Sequence, residues 1–123
     1  MEVEYMWFIS YNIPPIKRII RLLVTKEGKI PFREWYLSMK DAKTRDVIRA
    51  RLKRLNLGNF GDCRSVGKGV YEFRIHFGPG IRIYFGLDGK ILVLLILGGT
   101  KGTQTKDIEY ARGLWAQYWR ENE

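Results

Sequence analysis

The order of hydrophobic patterns along these 123 residues predicts an α+β fold: an N-terminal strand and two helices, then a run of antiparallel strands, then a C-terminal helix. Three observations carry this. Residues 70–86 alternate at period two on either side of a Gly78-Pro79-Gly80 turn, which marks a hairpin. Residues 91–97, ILVLLIL, form an unbroken apolar run of strand length. Apolar residues recur at spacings of three and four over 32–39, 47–55 and 108–118, the period of an amphipathic helix.

Residues 1–16, ending near Pro14-Pro15, lack a clean period and read as a lead-in peptide, partly disordered, before a single domain over residues 17–120. The β-branched stretch Lys17 to Thr25 suits a strand, ended by the turn Lys26-Glu27-Gly28-Lys29. Pro31 is placed to start a helix, and Phe32, Trp35, Tyr36 and Met39 give it one apolar side. Asp41 can cap a second helix, striped by Val47, Ile48, Leu52 and Leu55 and ended by the segment Gly58 to Asp62. A short strand near Arg64 to Val66, a Gly67-Lys68-Gly69 turn and the central hairpin follow. A turn at Asp88-Gly89 then leads into the apolar strand, giving about four to five strands in all. From Thr103 the pattern Ile108, Ala111, Leu114 or Trp115, Tyr118 returns to helical spacing.

Composition narrows the class. With 46% apolar and 28% charged residues the chain is neither fibrous nor intrinsically disordered. Its longest apolar run is far short of the roughly 20 residues needed to cross a bilayer. A single cysteine, Cys63, cannot form an intrachain disulfide. With an N-terminus lacking the basic start of a secretory signal, it points to the cytoplasm. One histidine and one cysteine, with no carboxylates at ligand spacing, offer no metal site, and no cofactor is indicated. The net charge of +9 favours a polyanionic partner.

That charge gathers in two places. On the hairpin, Tyr71, Phe73, Ile75, Phe77, Ile81, Ile83 and Phe85 share an apolar face, while Glu72, Arg74, His76, Arg82 and Tyr84 share the opposite one. Two guanidinium groups beside an imidazole and a phenol suit a phosphate, so this face reads as a nucleic-acid site. The competing reading pairs Arg74 or Arg82 with Glu72 in a salt bridge, leaves His76 as an exposed residue beside a turn, and makes Tyr84 a rim aromatic. The second concentration, Lys40 to Arg54, is either a solvated helix face or a phosphate-contacting one.

The run GNFGDCRSVGKGVYEFRIHFGPGIRIYF, followed by LLILGGTKGTQTKDIEYA, resembles the RelE/ParE superfamily of toxins from bacterial type II toxin–antitoxin modules, most closely its phage-derived, HigB-like branch. The resemblance covers Pro31 to Trp115. It rests on GN-x-GD, VG-x-GV, E-x-RI, GPG, R-x-YF and GG-x-K-x-x-Q in fixed order. Departures are Ile81 where an aromatic is common, Thr100 where an acid is common, and Arg64 in place of a lysine. The resemblance implies a RelE-like domain with helices packed on one face of a twisted antiparallel sheet and a basic, concave opposite face. It implies a toxin that cuts mRNA in the ribosomal A site, or alternatively one that inhibits DNA gyrase or another protein without cutting anything. The implied partners are the ribosome, mRNA and a cognate antitoxin with a helix-turn-helix, with no membrane.

Cleaving RNA requires a base for the 2′-hydroxyl, cations for the phosphate and a proton for the leaving oxygen. Arg74 and Arg82 are the candidate phosphate ligands. Lys101, after Gly98-Gly99, is a third cation and matches by similarity a basic residue that functions in cleaving members. His76 and Tyr84 are the candidates for proton transfer, the histidine because it titrates near neutrality unaided. Contacts to RNA or the ribosome fall to Lys43, Arg45, Arg49, Arg51, Lys53 and Arg54 on the second helix, with Arg64 and Lys68 beyond it. Lacking a strong base, such a site is expected to act poorly on free RNA and to depend on the ribosome for orientation.

Overall fold

The computed structural model describes residues 16–122, so residues 1–15 of the expected lead-in lie outside the described residues. The elements run β1 (Ile19–Leu22), α1 (Pro31–Leu37), α2 (Ala42–Asn56), β2 (Cys63–Gly67), β3 (Val70–Ile75), β4 (Ile81–Asp88), β5 (Leu92–Thr100), a short 3-10 turn (Lys101–Thr103) and α3 (Gln104–Glu121). Pro31 opens α1 as expected. Asp41 caps α2 by accepting hydrogen bonds from the Lys43 amide at 3.2 Å and the Thr44 hydroxyl at 2.7 Å. The first strand is shorter than its apolar stretch, and α1 ends two residues before Met39.

The five strands form one sheet in the order β1-β5-β4-β3-β2. Strands β2 to β5 are the expected antiparallel meander. Strand β1 corrects the antiparallel expectation: it pairs in parallel with β5, Ile19 opposite Leu92, and the sheet is mixed. The two helices between β1 and β2 supply the long connection that frees β1 to join the far edge in either direction.

Helices cover both faces of the sheet, not one. On the first face Phe32, Ile48 and Leu55 of α1 and α2 pack with Phe73, Ile83, Phe85 and Leu95. On the second, Ala111, Leu114 and Trp115 of α3 pack with Val70, Tyr84, Leu94 and Ile96. Alternation along β5 sends Val93 and Leu95 to the first core and Leu94 and Ile96 to the second, and a bulge adds Leu97 to the second. Tyr84 pairs with Leu97 and Phe85 with Leu95, so Ile96 is an extra residue, and Leu95 faces α1 and α2 while Ile96 and Leu97 join the α3 side. Each buried Leu, Ile or Phe contributes about 1.5–3 kcal/mol, whereas an exposed ion pair adds less than about 1 kcal/mol, so packing on the sheet holds α3 in place.

Two glycines set how closely the layers approach. A Cβ on Gly86 would strike the Trp115 ring, and one on Gly98 would strike the ring of Trp35 in α1. Both rings therefore lie flat against bare backbone. Gly98→Ala is expected to lower the unfolding free energy by about 1–3 kcal/mol through overpacking, read as a reduced urea midpoint with an unchanged slope.

Candidate nucleic-acid interface

The polar face of the hairpin forms, and α3 covers only part of it. Cross-strand register sets Arg64 beside Glu72 and Glu72 beside Tyr84, with Arg74 beside Arg82 in the next row. Glu72 is fully buried at the centre. Its Oε1 accepts from Arg64 Nε at 3.1 Å and from Arg74 Nε at 3.3 Å. Its Oε2 accepts from Gln104 Nε2 at 2.9 Å and lies 3.8 Å from Arg82 Nε. Burial by itself raises the Glu72 pKa, but the hydrogen bonds from Gln104 and Arg64, together with the Arg64 charge, outweigh it and hold the carboxyl below its ordinary value.

The three arginines differ in access. The Arg64 side chain is 49% exposed, Arg74 30% and Arg82 10%. Arg64 and Arg74 reach Glu72 through Nε alone, and their outer amino groups have no hydrogen-bond partner among the described residues. Arg82 instead directs Nη1 toward the Gly80 carbonyl at 3.4 Å. Lys101 is exposed at the same end, where its amide donates to the Gly80 carbonyl at 3.0 Å. Asp107, accepting from Thr103, and Asp62, whose carbonyl accepts from the Arg74 amide, are the other acidic residues close by. Four cations against three carboxylates leave the patch positive.

Two of the expected participants have surroundings that the alternation did not show. Tyr84 is not a rim residue: it is completely buried, its hydroxyl beside the Glu72 carboxylate, and burial followed by that negative charge raises its pKa well above the ordinary phenol value. It cannot reach a substrate, and its proton is harder to remove than that of a free tyrosine, so it is unsuited to be a base. His76 lies beyond the end of β3, where Phe77 folds back to donate to the Ile75 carbonyl. Its exposed ring is held by Asp62, Nε2 to Oδ2 at 2.9 Å, and the Asp62 carbonyl accepts the Arg74 amide at 2.9 Å. Asp62 thus ties the imidazole beside the arginine cluster.

The basic strip on α2 lies across the sheet from these arginines, because α2 packs on the first face. Lys43, Lys53 and Arg54 are exposed there. The others are engaged within the chain: Arg45 donates to the Met39 carbonyl, Arg49 pairs with Asp46 and bonds the Tyr36 hydroxyl, and Arg51 lies 5.7 Å over the Phe73 ring. Burial, then the neighbouring Arg54 charge, lowers the Arg51 pKa. Lys68 is exposed in the β2–β3 turn. Cys63 is buried, and its thiol is pushed up to about 12 by burial and then by Asp62 and Glu72, which makes it inert. Among the described residues no group of three or more His, Cys, Asp and Glu is placed to hold a metal ion, and no helix is long and apolar enough to cross a membrane.

Sequence reading left two participants without a role. Gln104 is the last residue of GG-x-K-x-x-Q, and Asp62 the last of GN-x-GD; both spacings were visible, but neither shows what the side chain touches.

Fold and site together define a basic α+β domain with a carboxylate-centred arginine cluster. The chain belongs to the same family as an uncharacterized protein of Haemophilus influenzae, to which it is 43% identical over 83 residues, 68% of this chain and 84% of the relative. No family model matches the chain, and no solved structure matches it.

The Glu72 charge links stability to acidity. Its pKa is lower folded than unfolded, so its stabilisation is complete above about pH 4.3 and disappears as pH falls through the folded value. The thermal midpoint is expected to drop on acidification through that range. Glu72→Ala, which strands three guanidinium groups, is expected to cost about 3–5 kcal/mol at neutral pH and to flatten the acid response, measured by denaturant titration from pH 7 to 3.

Proposed function

We propose that this chain is a RelE/ParE-like toxin of a type II toxin–antitoxin module that cleaves mRNA at the ribosome in the cytoplasm. The observation that carries this reading is the gathering of Arg64, Arg74, Arg82 and Lys101 at one end of a sheet face, with the outer donors of Arg64 and Arg74 unengaged. A surplus of cations beside open guanidinium donors favours an RNA phosphate over a neutral ligand.

In the proposed reaction the cations hold the phosphate and offset the charge that builds on its oxygens. With the Asp62 carboxylate accepting from Nε2–H, the His76 ring keeps its Nδ1 lone pair. That nitrogen takes the proton of the 2′-hydroxyl, the 2′-oxygen bonds to phosphorus, and the bond to the 5′-oxygen breaks. The leaving oxygen takes a proton from solvent. Tyr84 has no part in the transfer. Lys43, Lys53 and Arg54, across the sheet, add contacts to ribosomal RNA phosphates that raise affinity without choosing sequence. An antitoxin with a helix-turn-helix would act by covering the arginine patch.

The test is induced expression without an antitoxin, combined with primer extension on message from a translation extract. Wild-type protein is expected to arrest growth and to cut message on ribosomes but hardly at all as naked RNA. Arg74→Ala is expected to lower cleavage about 10- to 100-fold, the value of one charged hydrogen-bonding group, with its fold confirmed by circular dichroism. His76→Gln is expected to lower cleavage by about 10²-fold. Growth arrest with intact message would overturn the nuclease reading in favour of a toxin that inhibits gyrase or another protein.

A further inference from the structure

We propose that Glu72 is a positioning residue for RNA: by holding the inner Nε–H of Arg64 and of Arg74 on one oxygen, it presents their outer amino groups together to a single phosphodiester. This rests on the reading of the patch as an RNA site, and it pairs Arg64 with Arg74 in the grip on one phosphate.

The geometry argues against a carboxylate that only neutralises charge. Both Nε atoms meet the same Oε1, at 3.1 and 3.3 Å, so each guanidinium group starts one hydrogen-bond length from a shared anchor. A guanidinium is planar, and fixing Nε restricts where its two terminal nitrogens point. Those terminal nitrogens have no partner within the described chain, and the side chains are 49% and 30% exposed. The anchor is itself held. Gln104, at the start of α3, donates to Oε2 at 2.9 Å, and Glu72 has no solvent-accessible surface. Arg82 does not share this arrangement, being 10% exposed with its Nε buried and 3.8 Å from the carboxylate.

Neutralisation and positioning predict opposite outcomes for Glu72→Gln. Removing a negative charge beneath a cationic patch strengthens binding to a polyanion if Glu72 only offsets charge. It weakens binding if Glu72 aims the donors, because both arginines remain but lose their anchor.

The probe is a short single-stranded 2′-O-methyl RNA, which cannot be cleaved, titrated by fluorescence anisotropy at several salt concentrations. Arg64→Ala is expected to weaken binding about 10-fold and to reduce the salt slope by about one. Glu72→Gln is expected to weaken binding several-fold with the slope retained. Gln104→Ala keeps every charge in place while releasing one restraint on Glu72; it is expected to act in the same direction, and it decides the matter should Glu72→Gln not fold. Tighter binding by Glu72→Gln, unchanged binding by a folded Gln104→Ala, or unchanged binding by Arg64→Ala would each overturn the assignment. Because the probe reads binding alone, a wild-type protein that grips it as described yet cuts no message would fail the nuclease reading and leave this one standing.

Discussion

A carboxylate with no access to water sits under three guanidinium groups, and the candidate site depends on it. Glu72 is the carboxylate to which all three arginines pair among the described residues: without it Arg64, Arg74 and Arg82 would crowd together on neighbouring strands with their shared counter-charge gone. Burying that carboxylate is costly, and the cost is met by hydrogen bonds on one face of the sheet, from Arg64 and Arg74 beside it and from Gln104, supplied by a helix 32 residues further along the chain. The site is consequently coupled to the docking of α3. A helix that shifted by one residue would remove Gln104 from Oε2 and expose the anchor of the arginine cluster.

The two layers of helix divide the labour of the sheet. The first face carries an apolar core and serves stability, with α1 and α2 lying over Phe73, Ile83 and Phe85. The second face is apolar only where α3 covers it, and it turns polar toward β2, where Arg64 and Arg74 emerge. The apolar strand β5 serves both cores by alternation, and its bulge at Ile96 puts Leu97 on the side of the second. Positive charge thus appears on two opposite sides of the molecule, around the arginine cluster and along α2. A polyanion held at the first is not held by the second unless it wraps the edge of the sheet or a separate strand arrives there.

Much of the architecture could be read directly from residue spacing. Pro31, Asp41, the Gly78-Pro79-Gly80 turn and the Asp88-Gly89 turn mark their elements through local chemistry, which acts over a few residues and needs no knowledge of the fold. The alternation of 71–77 and 81–85 correctly showed which side chains share a face, because period two is a property of the strand itself. What the same alternation left open was the neighbourhood of the polar side. Tyr84 and Arg82 share it with Arg74, yet α3 buries the first, and the second is nearly closed off, while Arg74 stays accessible.

The sequence by itself determined the order and kind of the elements, the basic balance, and which residues of the hairpin share a face, since each of these follows from intervals of two, three or four residues along the chain. Tertiary structure decided the parallel placement of β1, the second helical layer, the separation of the α2 strip from the arginines, and the meeting of Glu72 with Arg64 and Gln104. Those are matters of which distant segments pack together, set by long connections and by burial of apolar surface over the whole sheet, and no local spacing encodes them.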